Sequence, residues 1–294
     1  MSKLRDSLQS GTFTLTSELG PVKGTNLEKS LEEVRPLKDR VTAFNVTDNQ
    51  SSVMRIASHA VCAVLAREGM EPIYQLTCRD RNRLALQSDL LGAYVLGLRN
   101  VLALTGDHPT LGDHPEAMPV FDFDVVTLLQ TISGMMQGKD FNGNALDGAP
   151  SDFFPGAVVS PAADPQELQI LKMEKKIEAG ARFFQTQAVF DVGSFETFMG
   201  KVRHFKVPVL AGIILLKSPA MAKFMNENVA GVSVPDALIS EIGGVDKKDR
   251  AAKSIEIAAR LVRGVKSLCQ GVHIMALGWE KHVPALIQQA GLQG

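Results

Sequence analysis

An α/β fold, a (β/α)₈ barrel formed as one domain over residues 1–294, is predicted by three features of the sequence. Short β-rich runs alternate with longer segments of helical period. Eight such runs can be traced, at roughly 30-residue intervals, and none is followed by a GxGxxG turn. Alternating βα units imply a parallel sheet with right-handed crossovers, and eight of them in about 250 residues or more match the closed barrel. The alternative, an open doubly wound sheet, ordinarily carries the glycine-rich turn that is missing here.

The first strand spans Phe13–Leu19, where Phe13, Leu15 and Ser17 alternate with threonines. Leu27, Leu31, Val34 and Leu37 then recur at helical spacing, with Thr25 or Asn26 as the N-cap. Val41–Val46 is the second strand, and its helix carries Val53, Ile56, Ala57, Ala60 and Val64 on one face. Pro72–Thr77 is followed by a helix over about 82–96, and Asn100–Leu104 by a helix over Phe123–Met136. Residues 138–151 are rich in Gly, Asn and Asp and contain the turn signal Asn142-Gly143. They read as an insertion loop, too short to link two folded halves. Ala157–Ser160 with helix 165–179, Arg182–Gln187 with helix 192–203, and Val207–Ile214 with helix 218–227 continue the alternation. A long helix over about 247–268 carries Ile255, Ala258, Val262 and Val265. Val272–Leu277 is the eighth strand, and a helix over about 281–290 closes the pattern.

The charge balance excludes some functions. Lys and Arg number 31 against 32 Asp and Glu, a net charge of -1, which argues against nucleic acid as a partner because phosphate contacts require a basic surplus. Cys62, Cys78 and Cys269 are far apart and form no CxxC, so no metal or cluster site held by this chain alone is expected. So sparse a cysteine content fits a reducing cytoplasm. The longest apolar run, Val207–Leu216, falls short of the roughly 18 residues that a membrane span needs. The N-terminal residues contain no apolar secretory core.

In a barrel of this kind chemistry sits at the C-terminal ends of the strands. The polar residues there are Glu18, Asn45 and Asp48, Gln75 and Thr77, Thr105-Gly106-Asp107, Ser160, and Gln185 and Gln187; strands seven and eight end in mostly apolar residues. A carboxyl at an apolar mouth is favoured in its neutral form, which would suit Glu18 to act as a general acid; the plainer reading is a Glu paired with a nearby Lys or Arg. Asp107 lies in a TGDHP turn where Gly106 allows a ligand to approach the backbone, against the alternative of a turn-capping Asp. His108 and His114 with Asp107 and Asp113 share one short loop, which reads as solvated rather than as a metal site. Cys78 has no adjacent base and reads as structural. Lys172, Lys175 and Lys176 lie on a helix with Glu174 and Glu178, as a solvated face or as a phosphate contact near the mouth.

Five short motifs in order along these strand ends resemble the methylenetetrahydrofolate reductase family. They are SEL at 17–19, LTC at 76–78, the Gly106-Asp107 turn, DVVTLL at 124–129, and EAGARFFQTQAVFD at 178–191. The resemblance runs from Phe13 to about Gly291. It implies a flavin-dependent barrel that converts 5,10-methylenetetrahydrofolate to 5-methyltetrahydrofolate, with hydride passing from flavin N5 to the methylene carbon. Glu18 would be the general acid and Asp107 the carboxylate that stabilises the substrate cation. Gln187, Asp107 and Trp279 would contact the pterin. Asn45, Val46, Asp48, Gln75, Thr105, Gly106, Asp107, Asp122, Ser160, Asp164 and Lys176 occupy positions that hold the flavin, FAD ahead of FMN.

Several of those positions differ from familiar bacterial members, which have Thr, His, Arg and Tyr in place of Asn45, Gln75, Thr105 and Ser160, and a frequent His in place of Asp164. The aromatic that folds a nicotinamide over the flavin has no counterpart near Pro219. The resemblance is therefore to the short reductases of anaerobic one-carbon metabolism. It implies an oligomer and an electron-donating partner protein that contains zinc or an iron–sulfur cluster. Two further readings remain at this point: a pterin-binding barrel that transfers methyl groups without redox chemistry, and a non-catalytic barrel subunit of a larger complex.

Overall fold

The computed structural model describes residues 2–292. Eight strands close into a barrel in chain order, each parallel to its neighbours, with the eighth pairing the first. They are β1 Thr14–Leu19, β2 Ala43–Val46, β3 Pro72–Thr77, β4 Asn100–Leu104, β5 Phe154–Val159, β6 Phe183–Ala188, β7 Val209–Ile214 and β8 Gly271–Met275. The helices are α1 Lys3–Gln9, α2 Glu28–Val34, α3 Ser58–Arg67, α4 Arg83–Val95, α5 Val125–Met136, α6 Gln166–Glu178, α7 Val192–Val202, α8 Pro219–Asn228, α9 Asp236–Gly243, α10 Arg250–Val265 and α11 Val283–Gln289. No helix among the described residues is long and apolar enough to cross a membrane.

The two-residue period of each strand divides its side chains between two cores. Leu15 and Leu19 of β1 face the helices in the main apolar cluster, as do Phe44 and Val46 of β2. Thr14, Thr16 and Glu18 face inward. At the N-terminal end the barrel interior is filled by Ala43, Ile73, Leu102, Phe154, Phe183 and Leu210, with Leu4 and Leu8 of α1 closing it from below. The Phe154 and Phe183 rings stack with centroids 5.2 Å apart. Gly156 leaves room for them, since a Cβ there would lie 2.3 Å from the Phe183 ring.

Several boundaries depart from the sequence reading. The helix expected from Val53 begins at Ser58, because Val53 and Ala57 have ψ of 126° and 132° and so lie outside the right-handed helical region. β5 begins at Phe154 rather than Ala157: Pro155 and Gly156 read as breakers, but Pro155 needs no N–H at the start of a strand and Gly156 is required beneath Phe183. Two helices were not anticipated. α1 is capped by Ser2, whose hydroxyl accepts from the Arg5 N–H, and α9 buries only Leu238 and Ile242. Each is too short for its period to stand out. α2 has no side-chain cap at Leu27; Asn26 Oδ1 instead accepts from the Glu28 N–H at 3.2 Å. In the 138–151 segment Asp140 organises the turn, its carboxylate accepting from the backbone N–H groups of Asn142 and Asn144.

Candidate active site

A cavity of about 340 Å3 opens at the C-terminal ends of the strands, within the usual range for small-molecule sites. Its floor is polar, contrary to the apolar mouth expected from the sequence. Just beneath it, Asn45 and Gln185 exchange amide hydrogen bonds of 2.6 and 3.0 Å across the barrel. Gln185 Nε2 also donates to Thr16 Oγ1 at 3.3 Å, and Thr16 Oγ1 lies 3.0 Å from His273 Nδ1. Buried amides and hydroxyls need partners, and this row satisfies itself.

Glu18 stands above that row and is 7% exposed. Its Oε2 lies 3.7 Å from His273 Nε2, and Gln50 Nε2 donates to its Oε1 at 3.5 Å. Asp107 enters the cavity wall from the turn after β4. Gly106 has φ of +88°, and a Cβ there would lie 3.0 Å from Arg79 Cβ and 3.1 Å from Thr77 Cβ, so the turn requires glycine. The Asp107 carbonyl accepts from Ser52 Oγ at 2.8 Å and from Arg79 Nη1 at 3.3 Å, while its carboxylate is exposed to the cavity. The Arg79 side chain is only 2% exposed and binds Asp80 through Nε and Nη2, both at 2.7 Å. Burial alone would raise the Asp80 carboxyl, but the Arg79 guanidinium outweighs it and holds the group below its ordinary value.

On β6 the register shifts between Gln185, opposite Leu210, and Ala188, opposite Gly212. Such an irregularity re-aims side chains, and Gln185, Thr186 and Gln187 all reach the cavity wall in succession. Gln75, Thr105 and Ser160 complete a rim of amide and hydroxyl groups around a few apolar ones, Leu102, Leu104, Val158 and Met275. That lining suits a flat heteroaromatic ring with polar edges.

Of the residues singled out from the sequence, Glu18, Asp48, Gln75, Thr77, Thr105, Gly106, Asp107, Ser160, Gln185 and Gln187 line this one cavity, with Asn45 directly below it. The others lie elsewhere. Val46 faces the outer core. Asp122 accepts from Arg83 Nε and Nη2 at 2.8 and 2.7 Å, and that guanidinium holds its carboxyl down to about 2. Asp164 is exposed beyond the end of β5. Lys176 lies behind the cavity wall, donating to the Val158 carbonyl at 2.7 Å, and burial pushes its ammonium down to about 8. Trp279 packs against His282 and Lys217, whose Nζ is 5.4 Å from the indole centroid.

Asp48 is committed to structure: its Oδ2 accepts from the Thr77 N–H and hydroxyl and from Arg81 Nη1. Cys78 is fully buried, and burial pushes its thiol up to about 12, which leaves no thiolate for nucleophilic work. His108 Nδ1 lies 2.9 Å from Thr110 Oγ1, and Asp113 joins Lys23, His114 and the Met54 N–H. No group of three or more His, Cys, Asp or Glu among the described residues could hold a metal.

His273, Thr16, Gln50 and Arg79 were not singled out from the sequence. Strand eight reads as apolar, yet its alternation places His273 on the same face as Gly271 and Met275. Thr16 lies two residues before Glu18 and shares its inward face.

Comparison with known proteins follows the same lines. Residues 3–291 match the methylenetetrahydrofolate reductase family. Methylenetetrahydrofolate reductase 2 of Schizosaccharomyces pombe is 27% identical over 230 residues, which cover 74% of this chain and 35% of that protein. The 5,10-methylenetetrahydrofolate reductase of Pectobacterium carotovorum is 25% identical over 253 residues, covering 83% of this chain and 78% of that one. The chain thus spans about a third of the fungal relative and most of the bacterial one. Among solved structures, a Clostridium thermocellum protein described as uncharacterised and as binding two copies of 5-methyl-5,6,7,8-tetrahydrofolic acid superposes with a TM-score of 0.64. It is 16% identical and the match covers 98% of each chain, a likeness of fold. With the family match spanning nearly every residue of a closed eight-stranded barrel, the chain belongs to the methylenetetrahydrofolate reductase family.

Proposed function

We propose that this protein reduces 5,10-methylenetetrahydrofolate to 5-methyltetrahydrofolate with a bound flavin. The observation that carries the reading is the convergence of Glu18, Asp107 and Gln187 on one cavity at the barrel mouth, in a chain of this family. The rim fits the ring of a flavin: Gln75, Thr105, Ser160 and the Gly106 backbone offer donors and acceptors to its polar edge, and Leu102, Leu104 and Val158 offer it an apolar wall. Lys176, behind Val158, is a candidate cation for a flavin phosphate.

A flavin bound here supplies the hydride. The chain's own groups do the remaining work. Glu18 holds a proton at the cavity floor and delivers it to the folate nitrogen as the five-membered ring opens. Ring opening leaves a cation on the substrate, and the Asp107 carboxylate, fixed through its backbone by Ser52 and Arg79, is preorganised to stabilise it. Gln187 can hydrogen-bond the pterin edge and set its face toward the methylene transfer.

The test is direct. Purified protein should be yellow, and after anaerobic reduction it should be reoxidised by 5,10-methylenetetrahydrofolate with stoichiometric 5-methyltetrahydrofolate formed. A colourless protein that gains no flavin on reconstitution would refute the reading.

A further inference from the structure

The groups that suit the flavin, Gln75, Thr105 and Ser160, come from β3, β4, β5 and the turns after them, and Gln187, which suits the pterin, comes from β6. The ends of β7 and β8 remain for the rest of the substrate. Beyond its pterin a folate carries an aminobenzoyl bridge and a glutamate, whose carboxylates are ionised at neutral pH. The cavity itself offers them nothing: Glu18 and Asp107 are acidic, and the single Lys or Arg among its lining residues, Arg79, is bound to Asp80. Lys217 lies just past β7, and its Nζ donates to the carbonyl of Leu277, two residues beyond Met275 of the cavity wall. The ammonium thus bridges the ends of β7 and β8 at the rim. Among the described residues it makes no ion pair; Glu280 Oε1 instead accepts from the Gly278 N–H. Lys23, Arg81 and Arg83, near the ends of other strands, are paired with Asp113, Asp48 and Asp122. An ammonium has three hydrogens, and the Leu277 carbonyl takes one. Burial pulls Lys217 below the ordinary lysine value, a desolvation that a carboxylate would offset. Ser218 caps α8 immediately beyond it, and the N-terminus of that helix also favours an anion.

We propose that Lys217 binds a carboxylate of the substrate's glutamyl tail at the β7–β8 edge of the mouth. The proposal rests on the reductase reading and deepens it by assigning the far end of the substrate. Lys217 does not touch the reacting atoms. It holds the tail equally in the ground state and the transition state, so its contribution falls on KM. The bond to the Leu277 carbonyl stays in place when the carboxylate arrives, which leaves the ammonium already positioned. A lysine that served only to tie the turn after β8 to β7 would not discriminate between ligands with and without the tail, and that difference separates the two roles.

The experiment compares two ligands by equilibrium dialysis against the purified protein. One is 5-methyltetrahydrofolate. The other is the neutral N-methylamide of 5-methyltetrahydropteroic acid, which keeps the pterin and the aminobenzoyl amide and lacks both glutamyl carboxylates. The wild-type protein should hold the glutamyl ligand about 10-fold more tightly, the scale of one charge-assisted hydrogen bond. Lys217→Met should weaken the glutamyl ligand by about that factor and leave the neutral ligand within about twofold, whereas Lys217→Arg should keep most of the preference. In turnover the loss should appear in KM for the glutamyl substrate. Equal wild-type affinities for the two ligands, or an equal loss for both in Lys217→Met, would overturn the proposal. The first of these results needs no variant, so the test stands even where Lys217→Met does not fold. Dialysis needs no turnover either, so a protein that shows the expected preference but forms no 5-methyltetrahydrofolate would count against the reductase reading alone.

Discussion

Asp48 accepts from both terminal nitrogens of Arg81, at 2.7 and 3.2 Å, while its Oδ2 also caps the end of β3 at Thr77. The pair lies under the cavity wall with the Asp48 side chain 1% exposed. Asp48→Asn should therefore act on stability before it acts on ligand binding. Arg81 keeps its second partner, Asp89, at 2.7 Å, so the loss should be about 3 kcal/mol, at the low end for breaking a buried pair. Denaturant unfolding of the two proteins checks it, and an unchanged midpoint would return Asp48 to a ligand-binding role.

Glu18→Gln should abolish methylene-folate reduction while the flavin stays bound and reducible. The amide keeps the shape at the cavity floor and the contact with Gln50, but it carries no transferable proton, a loss of about 10²-fold or more. Rapid-mixing of the reduced variant with substrate measures it. Turnover at the wild-type rate would remove Glu18 from the chemistry.

Asp107→Asn should slow reoxidation by substrate roughly 10²-fold and disturb flavin binding far less. The turn itself is held through the Asp107 carbonyl by Ser52 and Arg79, contacts that the substitution leaves intact, so the effect isolates the carboxylate charge. Equal stopped-flow rates in the two proteins would leave Asp107 a turn residue.

Lys176 yields a pH dependence of stability. Burial holds its folded-state value down to about 8, against 10.5 when free. Between those values the unfolded chain binds a proton that the folded chain does not, so stability rises with pH across this window; the penalty is fully present below about pH 8. Wild type should gain about 1–2 kcal/mol on Lys176→Met between about pH 7.5 and 9.5. A flat difference in unfolding free energy would contradict the burial argument. A phosphate bound beside Lys176 would raise its value and flatten the slope, so the same titration with added flavin tests that contact.

Much of this arrangement is legible in the sequence because the strand ends carry it. β3 and β4 begin and end where apolar runs meet turn residues, and Glu18, Gln75, Asp107 and Gln187 follow from the rule that barrel chemistry sits at C-terminal strand ends. The rule says nothing about which face a residue occupies. Val46 neighbours Asn45 but has the opposite parity, so one points outward and the other in. Asp122 lies near the mouth in sequence yet Arg83 captures it, a pairing across 39 positions that no local pattern encodes. His273 was missed for the opposite reason: a lone polar residue between Val272 and Ile274 reads as an interruption of the core. Only the closure of β8 onto β1, which sets His273 opposite Thr16, brings it to the cavity.

A nicotinamide that passes hydride to a flavin must lie flat against it, and a misplacement of about 1 Å can cost about 10²-fold in rate. Among the described residues that line the cavity none is Phe, Tyr or Trp. The two nearby candidates for a stacking platform are both committed elsewhere. Phe190 is 4% exposed and lines a separate cavity with Pro161 and Pro235, and Trp279 is packed between Lys217 and His282. A one-electron carrier needs proximity but no such platform. The isolated flavoprotein should therefore be reduced poorly by NADH and NADPH, rapidly by an artificial low-potential donor, and physiologically by a partner protein with a redox centre of its own. Anaerobic mixing with each donor while following flavin bleaching decides it. Bleaching by NADH within seconds, with sustained turnover by the chain alone, would show that the cavity builds a nicotinamide platform on binding and needs no partner.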